Sequence, residues 1–206
     1  KIKEPEYTRA PFWKSFGEVW GDRNIKGVLL IQFLLQFFYA WMIIYTTIYL
    51  HETVGFDWST IGVIFTIMLL PFVLLEAPLG RLADKVGEKT MLCIGFIIMA
   101  VSTALIAFVT DHNAVIWTIV LFMTRVGAAI VEVMTDTYFF KKIDASKTHI
   151  ISFFRTARPL AYVVSPIIAT ILFTVFDMKG LFIFLALLML YGLRYSLSIE
   201  DVKPRA

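Results

Sequence analysis

The chain has 206 residues, of which 59% are hydrophobic and 17% are charged, and its formal net charge is +3. Soluble domains average about 25% charged and about 45–50% apolar residues, so this composition excludes an ordinary soluble protein. A single cysteine, Cys93, excludes an internal disulfide and a thiolate metal cluster.

The apolar residues fall in blocks of about 20 residues, which is the length that crosses a bilayer as an α-helix. The sequence therefore predicts an all-α integral membrane protein with six transmembrane helices. A cytoplasmic amphipathic linker is predicted over 1–26, a six-helix transmembrane domain over 27–197 and a cytoplasmic tail over 198–206. The predicted spans are 27–50, 61–82, 90–110, 114–140, 148–176 and 180–197.

Basic residues mark one side of the membrane. They lie in 1–26, at the turn between the second and third spans, in the loop 141–147 and around the end of the sixth span, whereas the opposite side carries Lys179 alone. The positive-inside bias predicts that both termini are cytoplasmic and that the protein is a multi-pass component of the plasma (inner) membrane. Because topology explains the basic residues, we expect no binding of nucleic acid. The polar N-terminus shows no cleavable signal peptide, and Lys1 in place of Met predicts a fragment.

Ionisable side chains lie inside two predicted spans, where they are costly and usually face a bundle interior or an aqueous cavity. Arg125, Glu132 and Asp136 share one face of the fourth span, because seven and four residues separate them. Arg155 and Arg158 share a face of the fifth span. We therefore expect these two spans to meet, with Glu132 facing Arg158 and Asp136 facing Arg155.

The first span carries a polar stripe made of Gln32, Gln36, Tyr39 and Thr46. Amide groups are expensive in lipid, so the stripe should face protein or water. Two interpretations remain open: the stripe lines a cavity, or it forms hydrogen bonds between packed helices.

The sequence does not favour catalysis. It contains no Gly-x-Ser-x-Gly, no His-Glu-x-x-His and no glycine-rich phosphate loop. The three histidines have no carboxylate or histidine at a spacing suited to a metal. We predict that the protein is not an enzyme, with no catalytic residue, no metal and no cofactor other than a proton that drives transport.

The turn after the second span carries the most specific motif. Its residues, Gly80-Arg81-Leu82-Ala83-Asp84-Lys85-Val86-Gly87-Glu88-Lys89, follow Pro78-Leu79. This stretch resembles the cytoplasmic signature of the major facilitator superfamily, roughly Gly-x-Leu-Ala-Asp-Arg-x-Gly-Arg-Lys, which joins the second and third helices of each six-helix half. Lys85 replaces the usual Arg, and Glu88 replaces a usual basic residue. The resemblance implies a cytoplasmic gating motif made of Gly80, Asp84, Lys85, Gly87 and Asp136.

A second stretch, Arg125-Val126-Gly127-Ala128-Ala129, is similar to the Arg-containing fourth-helix motif of that family, with a shortened spacing to the glycine. The motif is associated with proton-coupled members, and it leaves symport and antiport open. The amphipathic segment before Asp22-Arg23-Asn24 resembles the linker between two halves. The resemblance therefore implies one half of a transporter bundle, most like the C-terminal half with helices seven to twelve.

The implied function is secondary active or facilitative transport of a small solute by alternating access. The implied partners are membrane lipid, a small-molecule substrate and the other six-helix half, in the same polypeptide or in a second chain. Two alternatives stay open, a self-associating half-size transporter and a non-transporting membrane sensor or scaffold. The candidates for the substrate cavity or for coupling are Gln32, Gln36, Tyr39, Arg125, Glu132, Arg158 and Tyr162.

Overall fold

A computed structural model describes residues 17, 20–143 and 148–200, without the side chains of Asp84, Thr148 and His149. The described backbone consists of helices and short connections, which confirms the predicted all-α class. Most of the predicted linker 1–26, of the loop 141–147 and of the tail 198–206 lies outside the described residues. The helices are α1 (Arg23–Ile48), α2 (Trp58–Met68), α3 (Leu70–Val86), α4 (Glu88–Ile106), α5 (Ala114–Lys142), α6 (Thr148–Leu172) and α7 (Met178–Ser198).

Polar side chains cap the first turns of three helices. The Asp22 carboxylate accepts hydrogen bonds from the backbone N–H groups of Asn24 at 2.8 Å and Ile25 at 3.2 Å. Asn113 caps α5 and Asp177 caps α7 in the same way. The first N–H groups of a helix have no partner within it, so these caps stabilise each helix at its starting point.

The second predicted span consists of two helices, α2 and α3, which meet at Leu69. Pro71 explains the break, because proline has no N–H and its ring clashes with the preceding turn of a helix. At the junction the Phe72 N–H donates to the Leu69 carbonyl at 3.2 Å. Both helices still belong to one apolar segment, Trp58–Ala83, that is long enough to cross a membrane.

Five helical segments of the described chain are long and apolar enough to cross a membrane: Arg23–Thr53, Trp58–Ala83, Glu88–Ile106, Ala114–Lys142 and Met178–Ser198. The first includes a π-helical turn, Tyr49–Thr53, at the end of α1. Helix α6 has 25 residues, which is sufficient length, but it contains two arginines and two internal prolines that lower its apolarity. The fifth predicted span, 148–176, therefore rests on length and position rather than on hydropathy.

Helices α1 and α5 form the centre of the bundle. Helix α5 packs against α4, α3, α2 and α1, and α1 also packs against α6 and α7. Helix α4 packs against α7 and closes one side of the bundle. Helix α6 packs chiefly against α1 and meets α5 where the Phe154 ring stacks on the Phe139 ring, with 4.0 Å between ring centroids. This arrangement leaves a gap between α5 and α6 on the side away from α4 and α7.

Apolar side chains fill the interior and also cover much of the outside. Trp41 is fully buried, and its ring lies 5.2 Å from the Phe37 ring and 5.9 Å from the Phe184 ring. On the outer surface Val73 is 79% exposed and Val175 is 76% exposed. A soluble protein rarely exposes so much apolar surface, whereas a surface that faces lipid must be apolar.

The chain reverses between α3 and α4 at Gly87. Its φ angle is +90°, a region that residues with a side chain rarely adopt. The Gly87 N–H donates to the Ala83 carbonyl at 2.9 Å, which caps the C-terminus of α3. The backbone conformation at this turn therefore explains the glycine of the family signature. At Gly80, in contrast, an added Cβ atom would meet none of the described residues within 4 Å.

Candidate functional site

The gap between α5 and α6 is a cavity of about 400 Å³ at the level of the membrane helices. Helix α1 forms its floor, and the junction of α2 and α3 forms a third wall. The apolar part of its lining consists of Ile43, Phe65, Met68, Leu69 and Phe72. Its polar part consists of Gln36, Tyr39, Arg125, Glu132, Arg158 and Tyr162.

The position of α5 depends on a close contact with α4. A Cβ atom added at Gly127 would lie 2.8 Å from the Gly95 carbonyl oxygen and 2.7 Å from the Met99 nitrogen, so the two backbones approach as closely as glycine allows. Gly127 is two residues after Arg125, which corresponds to about 200° around a helix. The face that carries Arg125 and Glu132 is consequently turned away from α4 and toward the cavity.

A hydrogen bond connects α1 to α5 across the cavity wall. The Tyr39 hydroxyl donates to Glu132 Oε2 at 2.8 Å. The Tyr39 ring also meets the Phe72 ring edge-on, with 5.9 Å between ring centroids. Tyr39 thus contacts both α5 and α3 from α1, and it holds the carboxylate of Glu132 in place.

Arg125 has an unusual environment for a cation. It is 2% exposed, and its Cζ atom lies 5.4 Å from the centroid of the Tyr39 ring and 5.8 Å from that of Phe38. Its Nε atom is buried without a hydrogen-bond partner among the described residues. The guanidinium therefore rests on aromatic faces rather than in an ion pair.

The predicted ion pairing between the fourth and fifth spans is wrong. Helices α5 and α6 meet through the stacked rings of Phe139 and Phe154, but within the described chain Glu132 forms no ion pair with Arg158, nor Asp136 with Arg155. Helix α1 packs against both helices. Glu132 and Arg158 instead face the same cavity from opposite walls.

The polar stripe of the first span divides between both interpretations. Gln36 and Tyr39 line the cavity. Gln32 is 8% exposed and its Oε1 is buried without a partner in the described part of the chain, and it is not part of the cavity lining. Thr46 is fully buried and its hydroxyl donates to Met42 Sδ at 3.5 Å, within α1 itself.

The residues of the predicted gating motif lie apart from this cavity. Asp136 lines a second cavity of about 440 Å³, together with Glu76 and Glu132. Lys85 is exposed near the end of α3. The side chain of Asp84 lies outside the described residues, so its predicted contact with Asp136 stays a prediction.

One ion pair was not predicted, although the sequence contained a signal for it. Lys141 Nζ lies 2.7 Å from Glu88 Oε1, and the side chains are 30% and 3% exposed. The pair joins the start of α4 to the end of α5. Glu88 stands where the family signature usually has a basic residue, and a partner of opposite charge accounts for that exchange.

The apolar lining from the α2–α3 junction was also missed, because nothing in its sequence distinguishes a cavity wall from a lipid-facing surface.

The fold and the cavity define a class of protein. A helical membrane bundle with charged and amide side chains around a cavity between its helices is typical of a transporter rather than of an enzyme or a lipid anchor. The family model of the Major Facilitator Superfamily matches residues 28–204, and the chain belongs to that family. The members of this family move small solutes across membranes. A comparison with curated proteins finds no match.

Proposed function

We propose that the chain forms the C-terminal half of a transporter that moves a small solute by alternating access. The observation that carries the proposal is the convergence of Arg125, Glu132 and Arg158 on one cavity from two helices, α5 and α6. Ionisable groups in a membrane bundle are retained where they act on a solute or an ion. A bundle with a purely structural function would not require three ionisable side chains around a cavity.

The open side of the cavity is the expected site of the second half. Its walls come from α1, the α2–α3 junction, α5 and α6, whereas α4 and α7 lie on the far side of the bundle. A second six-helix half, in the same polypeptide or in a second chain, would complete the enclosure. Movement of one half against the other would then open the cavity to either side of the membrane in turn.

Glu132 is the natural candidate for proton coupling. It is the one carboxylate among the described residues that lines the 400 Å³ cavity, and it also borders the second cavity with Glu76 and Asp136. Binding of a proton there would remove a negative charge beside Arg125 and would convert the carboxylate into a hydrogen-bond donor. That change would reach α1 directly, since Tyr39 donates to the same carboxylate.

Uptake by reconstituted protein tests the proposal. The complete polypeptide that contains this chain is placed in proteoliposomes with a mixture of labelled small solutes, with and without a proton gradient. We expect at least one solute to accumulate and Glu132→Gln to abolish its dependence on the gradient. Glu52→Gln, an exposed carboxylate outside the cavity, serves as the matched control. Absence of uptake of every solute under both conditions would refute transport.

The proposed orientation places both termini and the 80–89 turn in the cytoplasm of a cell with this protein in its plasma (inner) membrane. Single cysteines at Lys85 and Lys179, in a Cys93→Ala background, report the two sides. A membrane-impermeant maleimide added to intact cells should label position 179 and should reach position 85 after the cells are opened. Labelling of position 85 in intact cells would reverse the topology.

A further inference from the structure

Arg125 is a buried cation that has no direct anionic partner among the described residues. It is 2% exposed and makes no ion pair with any described carboxylate, and its Nε atom has no hydrogen-bond partner among them. The nearest carboxylate of the same face, Glu132, accepts its hydrogen bond from Tyr39 instead. A guanidinium stays cationic in proteins, so its burial without an anion is unfavourable.

The aromatic rings beside Arg125 compensate only part of this cost. The Phe38 and Tyr39 rings lie at 5.8 Å and 5.4 Å from its Cζ atom, close to the limit at which a cation–π attraction is useful. Such rings accept no N–H hydrogen bond of the kind that a carboxylate or a phosphate offers. They fix the plane of the guanidinium and leave its donors for another acceptor.

A second cation faces the same space. Arg158 lines the cavity from α6, and within the described chain it pairs with no carboxylate. Among the described residues, the charged groups that line this cavity are two guanidinium groups and one carboxylate, which leaves an excess of one positive charge in its lining. A monovalent anion would neutralise this excess. A neutral or cationic solute would leave Arg125 unpaired or would add to the repulsion.

The apolar part of the cavity lining favours a substrate with an apolar body. Phe65, Met68, Leu69 and Phe72 form one wall, and a cavity of about 400 Å³ accommodates a small organic molecule. On the basis of the proposed transport function, we propose that the substrate is a small organic monoanion with an apolar or aromatic body. Its acidic group binds Arg125, with Arg158 as the second cation, and its body lies against the α2–α3 wall.

Matched probes test this assignment on the complete polypeptide in detergent at constant ionic strength. The probes are benzoate, hexanoate and indole-3-acetate, each compared with its neutral amide and with an amine of the same skeleton. We expect one or more of the acids to raise the thermal unfolding temperature in a saturable manner. The matching amide and amine should have no such effect, since neither supplies a negative charge.

Two substitutions separate anion binding from a structural role of Arg125. Arg125→Met removes a charge that the empty cavity does not neutralise, so it should raise the unfolding temperature without ligand and abolish the shift caused by acids. Arg158→Gln lies on the opposite wall and should fold normally, with about tenfold weaker acid binding, as expected for the loss of one charge-assisted hydrogen bond.

Each other outcome overturns the proposal. Failure of every acid to stabilise the protein, equal stabilisation by the amides, or an intact acid shift in Arg125→Met would each do so. Destabilisation of the unliganded protein by Arg125→Met would show that a carboxylate of the second half already pairs with Arg125. Transport is judged separately. Acids that bind while no solute enters proteoliposomes would refute transport and leave the anion site standing, whereas uptake confined to neutral solutes would refute the anionic substrate and leave transport standing.

Discussion

Replacement of Glu88 by arginine tests how the charges at the adjoining ends of α4 and α5 are arranged. Arginine is the type of residue that the family signature usually carries at this position, so a comparison of sequences alone would predict a harmless or stabilising change. The structure predicts the opposite. Glu88 is 2% exposed and its carboxylate lies 2.7 Å from Lys141 Nζ, so the Glu88→Arg substitution would place two cations together at a buried site.

The magnitude follows from the burial of the two side chains. An exposed ion pair contributes about 0.2–1 kcal/mol, whereas removal of one partner from a fully buried pair costs about 3–5 kcal/mol. The Glu88 side chain is 3% exposed and that of Lys141 is 30% exposed, so the pair lies between these limits. We expect Glu88→Gln to cost about 2 kcal/mol. Glu88→Arg should cost about 3 kcal/mol, because it also places a cation at the positive end of the α4 dipole.

Thermal unfolding of the complete protein in detergent measures the stabilities of the wild type, Glu88→Gln and Glu88→Arg. Glu88→Arg combined with Lys141→Glu should recover part of the loss, since the pair is restored while both charges oppose their helix dipoles. Lys142→Met, at the exposed neighbouring lysine, is the matched control and should lie within about 0.5 kcal/mol of the wild type. Wild-type stability of Glu88→Arg, or a double variant no more stable than Glu88→Arg, would contradict the reasoning.

Three further predictions concern packing and hydrogen bonds. Gly127→Ala should destabilise the protein by about 1–3 kcal/mol in the same assay, because the added Cβ would lie 2.8 Å or less from the backbone of α4. Gly62→Ala should be neutral or slightly stabilising, since a Cβ there meets nothing within 4 Å, and equal effects of the two substitutions would refute the packing argument. Tyr39→Phe removes the 2.8 Å hydrogen bond to Glu132. It should reduce proton-driven uptake strongly and lower the free energy of unfolding by only about 1 kcal/mol. Unchanged uptake would exclude a role of this bond in coupling. Trp117→Phe loses the 2.8 Å bond from Nε1 to the Asp111 carbonyl and should lower stability by about 1 kcal/mol, and an unchanged unfolding temperature would show that water replaces this bond.

Sequence spacing predicts which residues share a helix face, but it does not predict which residues meet across helices. The positions of Arg125 and Glu132 on one face of α5 follow from their seven-residue spacing, and both line the cavity. Their partners did not follow from the sequence. Glu132 was expected to meet Arg158, but it accepts a hydrogen bond from Tyr39, which is 93 residues away in the chain. Spacing defines a helix face, and it does not determine which other helix that face meets.

The sequence by itself determined the class, the family and the approximate positions of the helices. A bilayer requires long apolar helices and excludes most alternatives, so composition and block length are sufficient for these conclusions. The tertiary structure alone decided the cavity between α5 and α6, the pairing of Glu88 with Lys141 and the burial of Arg125 without an ion pair among the described residues. These features depend on how closely helices approach, and contacts such as Gly127 against Gly95 set that distance. Helix packing in a membrane is governed by such local shape rather than by hydropathy, which is nearly uniform along the spans.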